Sequence, residues 1–325
     1  MNKFCKLLKD DALISRDGVS TDLLKGKTIL ITGASGLIGT QFLSSLCFPK
    51  IKDLDIFVCV KNTIPEHLSW FYNHGINFIK ADLSEPKSMN WFPYADIIIH
   101  AATYGQPGAF LQDKMATIKL NTSALFGLLD RLNDGGKLLF ISSSEIYSSS
   151  RLDHPRASYI EAKRCGEVIC MSSDKDCKIA RVCLAYGVGN KVGDKRVMYE
   201  FISQALTDKQ IKLLDGGSAS RTYCYVANAV NMMWNILLKG EKTTYDVGGE
   251  SSVKIYQLAN MIAEMTGASV EIPVDDGNRI DGSPDRVHFN MDKYNNEFGK
   301  QNYLSLEEGL RRTINWQKLL SYGHC

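Results

Sequence analysis

Tyr159 and Lys163 stand four residues apart in the segment Tyr-Ile-Glu-Ala-Lys. On a helix, positions i and i+4 share a face, which makes the phenol and the ammonium neighbours. A cation beside a phenol lowers its pKa from about 10, and the phenolate can then act as a general base on a hydroxyl near neutral pH. The same pair also occurs as a surface tyrosine lying over a lysine stem. A redox cofactor held nearby separates the two readings. The place for one is Gly33-Ala34-Ser35-Gly36-Leu37-Ile38-Gly39, three glycines spaced G-x-x-G-x-x-G. Glycine lets a backbone approach a pyrophosphate closely, and a helix N-terminus offers unpaired N–H groups to its charge. The first gap is one residue longer than in the common G-x-G-x-x-G pattern, and tight strand-to-helix turns use glycine for packing too. The apolar run Thr28–Thr32 before it and the helical segment Thr40–Cys47 after it supply the context of a dinucleotide turn.

A second constellation is Phe140-Ile141-Ser142-Ser143-Ser144-Glu145-Ile146-Tyr147. An apolar strand opens there into three hydroxyls and a carboxylate at its carboxyl end, where ligands collect in open α/β sheets. Ser143 can hydrogen-bond the reacting hydroxyl beside Tyr159. The alternative is an ordinary polar loop cap.

These groups need a frame, and the chain alternates strand and helix patterns. Strands are expected at Thr28–Thr32, Ile56–Val60, Asn77–Lys80, Ile97–His100, Lys137–Ser142 and Ile179–Cys183, with helices at Met115–Leu132 and Tyr159–Ser172. This rhythm implies an α/β fold, a Rossmann-like doubly wound parallel sheet. After about Leu184 the rhythm changes. Helical patterns at Val197–Leu206, Val226–Leu238, Ile255–Met265 and Leu306–Leu320 mix with short β runs at Lys212–Leu214, Val270–Ile272 and Val287–Asn290. Residues 1–26 are expected to form an N-terminal helical arm, 27–183 the dinucleotide-binding domain and 184–325 a smaller α/β substrate lobe. Residues 222–248 are expected to return in part to the main sheet.

Bulk composition narrows the classes. The 325 residues are 44% hydrophobic with a net charge of +2, which fits a folded domain with a sizeable core. No basic run points to nucleic acid. No apolar stretch reaches the length of a membrane span, and Met1–Lys27 lacks an apolar signal core, so a cytoplasmic location is expected. The nine cysteines include no C-x-x-C pair and the six histidines show no ligand spacing. Buried free thiols and the absence of a metal are the expectation.

Gly33–Gly39, Ser143, Tyr159 and Lys163 together resemble the short-chain dehydrogenase/reductase superfamily. The chain length, the Ser-Ser-Ser-Glu-Ile-Tyr segment and Arg221-Thr222-Tyr223-Cys224-Tyr225-Val226 resemble its extended branch of nucleotide-sugar epimerases, dehydratases and decarboxylases. Asp82-Leu83, His100-Ala101-Ala102, Asn121 and Arg181 through Tyr186-Gly187 add weaker matches in the same order. The resemblance implies a tightly bound NAD or NADP, a nucleoside-diphosphate sugar substrate and a homodimer joined through the helices at 115–132 and 159–172. The cofactor would be held by Gly33, Ser35, Gly36, Leu37, Ile38, Gly39, Lys61, Asn62, Asp82, Leu83, Ala101, Ala102 and Thr103, with Tyr159 and Lys163 at its nicotinamide end. Tyr159 would take the proton of the sugar 4-hydroxyl while hydride leaves C4, and Lys163 would hold the nicotinamide ribose. Arg221 would pair with the substrate diphosphate, its fixed guanidinium fork suiting phosphate oxygens. A solvated arginine on a β edge is the plainer alternative.

Ser144 and Glu145 bear on the branch. The 4,6-dehydratases usually carry an Asp-Glu pair here, simple 4-epimerases usually lack the carboxylate, and UDP-glucuronate decarboxylases carry a Thr-Ser-Glu triplet that Ser143-Ser144-Glu145 resembles. Arg286, in Asp281-Gly282-Ser283-Pro284-Asp285-Arg286, is similar to an arginine of those decarboxylases and could hold a substrate carboxylate or merely pair with Asp281 or Asp285. Two positions depart from the family pattern. Lys61 replaces the usual acidic residue after the second strand, which could favour a 2′-phosphate and NADP, or point to water. Leu184 and Val188 replace a usual asparagine and proline, which would shift diphosphate binding toward Arg221 or Arg196. Decarboxylation ranks first, then epimerisation, then dehydration. An NADPH-consuming 4-keto-sugar reductase and a non-catalytic cofactor-binding protein are readings of other classes.

Overall fold

The computed structural model describes residues 3–64, 66–148, 151–249, 251–273, 289–300 and 302–322. Twelve strands run in chain order among them: β1 Thr28–Thr32, β2 Asp55–Val60, β3 Asn77–Lys80, β4 Ala95–His100, β5 Leu132–Ser143, β6 Asp176–Val182, β7 Leu184–Tyr186, β8 Gln210–Lys212, β9 Ser220–Tyr225, β10 Thr244–Val247, β11 Ser251–Lys254 and β12 Ser269–Glu271. The helices are α1 Lys3–Ser15, α2 Leu37–Cys47, α3 Pro107–Gln112, α4 Lys114–Asn121, α5 Ser123–Leu129, α6 Ala157–Ser172, α7 Val197–Thr207, α8 Val226–Lys239, α9 Ile255–Thr266, α10 Asp292–Phe298 and α11 Leu306–Tyr322.

The apolar run of β1 lies inside a seven-stranded sheet ordered β10-β6-β5-β4-β1-β2-β3, every pairing parallel. Parallel strands covered on both faces read as continuous apolar runs, and β1 alternates accordingly. Ile29 and Ile31 pack with Leu8, Phe42 and Trp234 under α1, α2 and α8. Leu30 packs with Leu125, Phe140 and Cys170 under α5 and α6. This is the doubly wound Rossmann-like sheet. Its strand order reverses between β1 and β4, where the carboxyl ends open a crevice for a ligand. Residues 244–247 lie in the main sheet as β10, beside β6.

A second core of Ile202, Ile211, Leu258, Ile262 and Leu310 sits under α7, α9 and α11. The small sheets β11-β9-β7 and β12-β8 edge it. The helical segment at the N-terminus folds back as α1. Phe4 packs edge-on against Trp316 at 5.0 Å, and buried Asp11 accepts from the Tyr225 hydroxyl at 2.5 Å and from Arg312 Nη1 at 2.9 Å.

Several sequence expectations shift. The helix expected over 115–132 is two helices, broken at Thr122, whose hydroxyl bonds back to the Ile118 carbonyl at 2.8 Å. The stretch Lys212–Leu214 contributes only its first residue to a strand, β8 beginning two residues earlier at Gln210. Of the strand expected at 287–290, Phe289 and Asn290 are not in strand conformation, and 287–288 lie outside the described residues. The described cysteines are free thiols, most of them buried.

Candidate active site

At the end of β1 the chain turns at Gly33, with φ +69°. A β-carbon there would lie 2.7 Å from the Ala101 carbonyl oxygen and 2.7 Å from the Ala102 nitrogen. Glycine therefore lets the ends of β1 and β4 press together. At Gly39 a β-carbon would run into the Gly33 carbonyl, which fixes α2 against the turn. Gly36 is the N-cap of α2, and its own N–H is spent on the Gly33 carbonyl at 2.9 Å. Gly33 and Gly39 thus serve packing, while Gly36 and Gly39 line the cleft.

Behind the turn lies a hydrogen-bond chain. His100 is fully buried, and burial lowers its pKa to about 4, so its ring is neutral. One ring nitrogen faces the Leu120 carbonyl at 2.8 Å, which only accepts, so Nε2 carries the hydrogen. Nδ1 then accepts from the Thr32 hydroxyl at 2.8 Å. That oxygen accepts in turn from the Ala102 N–H at 3.3 Å.

A cavity of about 410 Å³ runs from Gly36, Leu37, Ile38 and Gly39 past Ala101 and Thr103 to Ser143, Ser144, Glu145, Tyr159 and Lys163. The residues expected at the pyrophosphate and at the nicotinamide end of a dinucleotide therefore share one cleft. The cradle fits such a group: close-packed glycines, the open N-terminus of α2, and the Lys191 ammonium hydrogen-bonded to the Ser35 hydroxyl at 3.2 Å. Lys191 reaches the turn from the loop after β7, lines the cleft, and belongs to none of the sequence motifs.

The tyrosine and lysine depart from the sequence expectation. Tyr159 is buried with its ring stacked on Phe110 at 4.6 Å. Burial pushes its phenol up to about 12, Glu145 adds to the rise, and the Ser143 hydroxyl, Arg156 and Arg196 act against it. Lys163 is not the group that acidifies it. Its Nζ donates to the Ile141 carbonyl at 2.5 Å. Burial lowers the ammonium to about 7 against the attraction of Glu167. Glu167 itself is buried, pairs with Arg181 at 2.6 Å and accepts from the Ser142 hydroxyl at 2.6 Å. Burial thus holds the phenol neutral near pH 7, and positive charge added in the cleft would favour its ionised form.

Glu145 sits on a single 3₁₀ turn, Ser144–Tyr147, which Ser143 caps by accepting from the Glu145 N–H at 3.2 Å. Its Oε1 pairs with Arg156 Nη1 at 2.6 Å, whereas Oε2 is buried and has no hydrogen-bond partner among the described residues. Arg156 is a functional candidate that motif reading missed. Its only sequence signal is its place three residues before Tyr159.

The remaining sequence candidates are distributed as follows. Lys61 does not stand ready for a phosphate. Its Nζ pairs with Asp82 at 2.8 Å and donates to the Tyr104 hydroxyl at 3.1 Å. Asp82 is engaged by the same lysine and by Ser84. Asn62 is exposed, and Leu83 is buried under β1 and β4. Arg196 lines the cleft, but its guanidinium is clamped by Asp194 at 2.6 Å and donates to the Ala185 carbonyl at 3.1 Å. The Arg221 guanidinium donates to the Ser220 carbonyl at 2.9 Å and is not among the residues lining the cleft. Arg286 lies outside the described residues. Among the described residues no cluster of metal-ligating side chains forms, and no helix is long and apolar enough to cross a membrane.

A doubly wound sheet with a glycine-rich turn at its switch point and Ser, Tyr and Lys in the same cleft defines an extended short-chain dehydrogenase/reductase. The model of the NAD dependent epimerase/dehydratase family matches residues 29–248, and the chain belongs to that family. Among curated proteins it is similar to UDP-glucuronic acid decarboxylase 1 of Xenopus tropicalis, at 27% identity over 312 residues, covering 89% of this chain and 72% of the relative. It is also similar to dTDP-4-dehydro-6-deoxy-D-allose reductase of a Streptomyces species, at 23% identity over 330 residues, covering 93% and 99% of the two chains. The fold matches the crystal structure of UDP-glucuronic acid 4-epimerase from Bacillus cereus in complex with UDP-glucuronic acid and NAD. There the TM-score is 0.74 at 20% identity, with 90% of this chain and 99% of the other covered.

Proposed function

We propose that the protein oxidises a nucleoside-diphosphate sugar transiently at C4 and acts as a decarboxylase of the UDP-glucuronate type. The observation that carries this reading is the single cleft joining the glycine turn to Ser143, Tyr159 and Lys163, with the Glu145 carboxylate in its wall. A bound nicotinamide cofactor would supply hydride acceptance and return. The chain's own residues do the rest. Tyr159 takes the proton of the sugar 4-hydroxyl, Ser143 holds that hydroxyl beside the phenol, and Lys163 leaves the Ile141 carbonyl to hold the nicotinamide ribose. A ketone at C4 withdraws electrons and lets a C5 carboxylate leave as carbon dioxide.

The cofactor we assign is NAD, because Lys61 is already neutralised by Asp82 at the adenosine rim. The ammonium of Lys191, the N-terminus of α2 and the Gly36 turn would hold its pyrophosphate. The assembly we assign is a homodimer through α4, α5 and α6, which expose Met115, Ile118, Phe126, Val168 and Met171. Light scattering should give twice 36.2 kDa.

Mass spectrometry of the products from a panel of UDP-, dTDP-, CDP- and GDP-sugars tests the reaction. Loss of carbon dioxide from UDP-glucuronate supports it, loss of water reassigns the protein to dehydration, and an unchanged mass with altered NMR couplings reassigns it to epimerisation. A second reading, a net 4-keto-sugar reductase, is favoured by the similarity to the Streptomyces reductase. Stoichiometric consumption of NADPH under the same conditions would establish it in place of the first.

A further inference from the structure

Arg156 ends the loop before α6, and its carbonyl already accepts from the Tyr159 N–H at 3.1 Å and the Ile160 N–H at 3.1 Å. Its own N–H donates to His154 Nδ1 at 3.2 Å. The partner Glu145 is equally anchored, by the Ser143 cap. Both side chains are mostly buried, 15% exposed for the arginine and 18% for the glutamate. The pair uses one carboxylate oxygen; the other is buried and has no hydrogen-bond partner among the described residues, so the hold on the carboxylate rests on Arg156.

We propose that Arg156 is a positioning residue: it fixes Glu145 in the cleft wall through Oε1 and screens the Glu145 charge from Tyr159. This rests on Tyr159 being the base of the proposed reaction. The charged groups around the phenol support the assignment. Arg196 is held by Asp194, and Lys163 is turned to Ile141 with Glu167 behind it. Glu145 is the anion that raises the phenol, and Arg156 is the cation bonded directly to that anion.

The test follows the near-ultraviolet absorbance of tyrosinate in NAD-saturated protein, taken as the difference from a Tyr159→Phe protein. Arg156→Gln should raise the Tyr159 midpoint by about one pH unit, because Glu145 is left uncompensated. Arg156→Lys should keep it within about 0.3 units of the parent, and Glu145→Gln combined with Arg156→Gln should bring it back to the same range. An unmoved midpoint in Arg156→Gln, or one that stays raised in the double variant, would overturn the proposal, since lost packing alone is not cured by removing Glu145. Turnover of UDP-glucuronate is measured in parallel. Its absence from a protein whose midpoint moves as stated would reject the reaction and leave the pairing intact.

Discussion

The two ends of the cleft are built on different physical terms. At the glycine turn, backbone meets backbone: Gly33 against Ala101 and Ala102, Gly39 against Gly33. At the tyrosine end, side chains meet across loops: Arg156 with Glu145, Lys163 with the Ile141 carbonyl, Arg196 with Asp194. Backbone contact tolerates one residue type and is set by shape. Charge pairing tolerates several types and is set by which neighbour is nearest and how dry the site is. The ends should therefore fail differently, one by losing its cofactor and the other by losing chemistry.

The largest expected effect separates them. Tyr159→Phe removes a hydroxyl from the tyrosine end and leaves the turn untouched. Turnover should fall by about 10²- to 10⁴-fold, with NAD affinity changed by less than about threefold, a difference under 1 kcal/mol. Gly33→Ala should instead abolish NAD binding, and turnover with it, through the clash with Ala101. Calorimetric titration with NAD reads both variants. A Tyr159→Phe protein that still turns over would remove the assigned base, and a Gly33→Ala protein that binds NAD normally would erase the contrast between the ends.

This difference also decides what could be read from the residues alone. Gly33, Gly36 and Gly39 announce themselves because only glycine fits two of those backbones, and the alternation of β1 between two cores shows as the unbroken apolar run Ile29-Leu30-Ile31. The doubly wound parallel sheet was legible on the same grounds, from β1 to β6. Side-chain partners were not. Nothing in Tyr-x-x-x-Lys says that the ammonium will turn to the Ile141 carbonyl while burial drives the phenol upward. Lys61 could be read as a phosphate partner or as pointing to water, but not as the partner of Asp82, because Asp82 is 21 residues away and the closing of that ion pair depends on the spacing of β2 and β3. Arg156 and Lys191 fall in loops, where no period marks a position. The break at Thr122 hid because a hydroxyl bonding to its own helix leaves the apolar pattern intact.

A middle-sized effect probes the support under the turn. Neutral His100 links Leu120, Thr32 and Ala102, and its pKa falls from 6.5 to about 4. A histidine depressed on folding binds protons more readily when unfolded. Its contribution is full above pH 6.5 and is lost as the pH falls from 6.5 toward 4. The loss amounts to about 3 kcal/mol. Urea unfolding of the parent and of His100→Asn at pH 7 and pH 4.5 isolates it, because carboxylate titration is common to both proteins. The parent should lose more stability than the variant between the two pH values, and equal losses would mean that the ring titrates normally where it sits.

The smallest effect lies at the proposed adenosine rim, where an ion pair resembles that of the tyrosine end in composition but not in setting. Lys61 and Asp82 are 48% and 32% exposed, against 15% and 18% for Arg156 and Glu145. Water and salt screen the outer pair, so breaking it costs at most about 1 kcal/mol. Asp82→Asn should leave the fold unchanged and release the Lys61 ammonium, with Tyr104 as its remaining partner. A freed cation beside the ribose attracts a 2′-phosphate, and the ratio of NADP to NAD affinity should rise by about 3- to 10-fold at low salt and fall back as salt is added. Adding Lys61→Ala to Asp82→Asn should cancel the gain. A preference that rises without salt dependence, or that survives loss of the lysine, would mean that the rim discriminates by shape, as the glycine turn does, and not by charge.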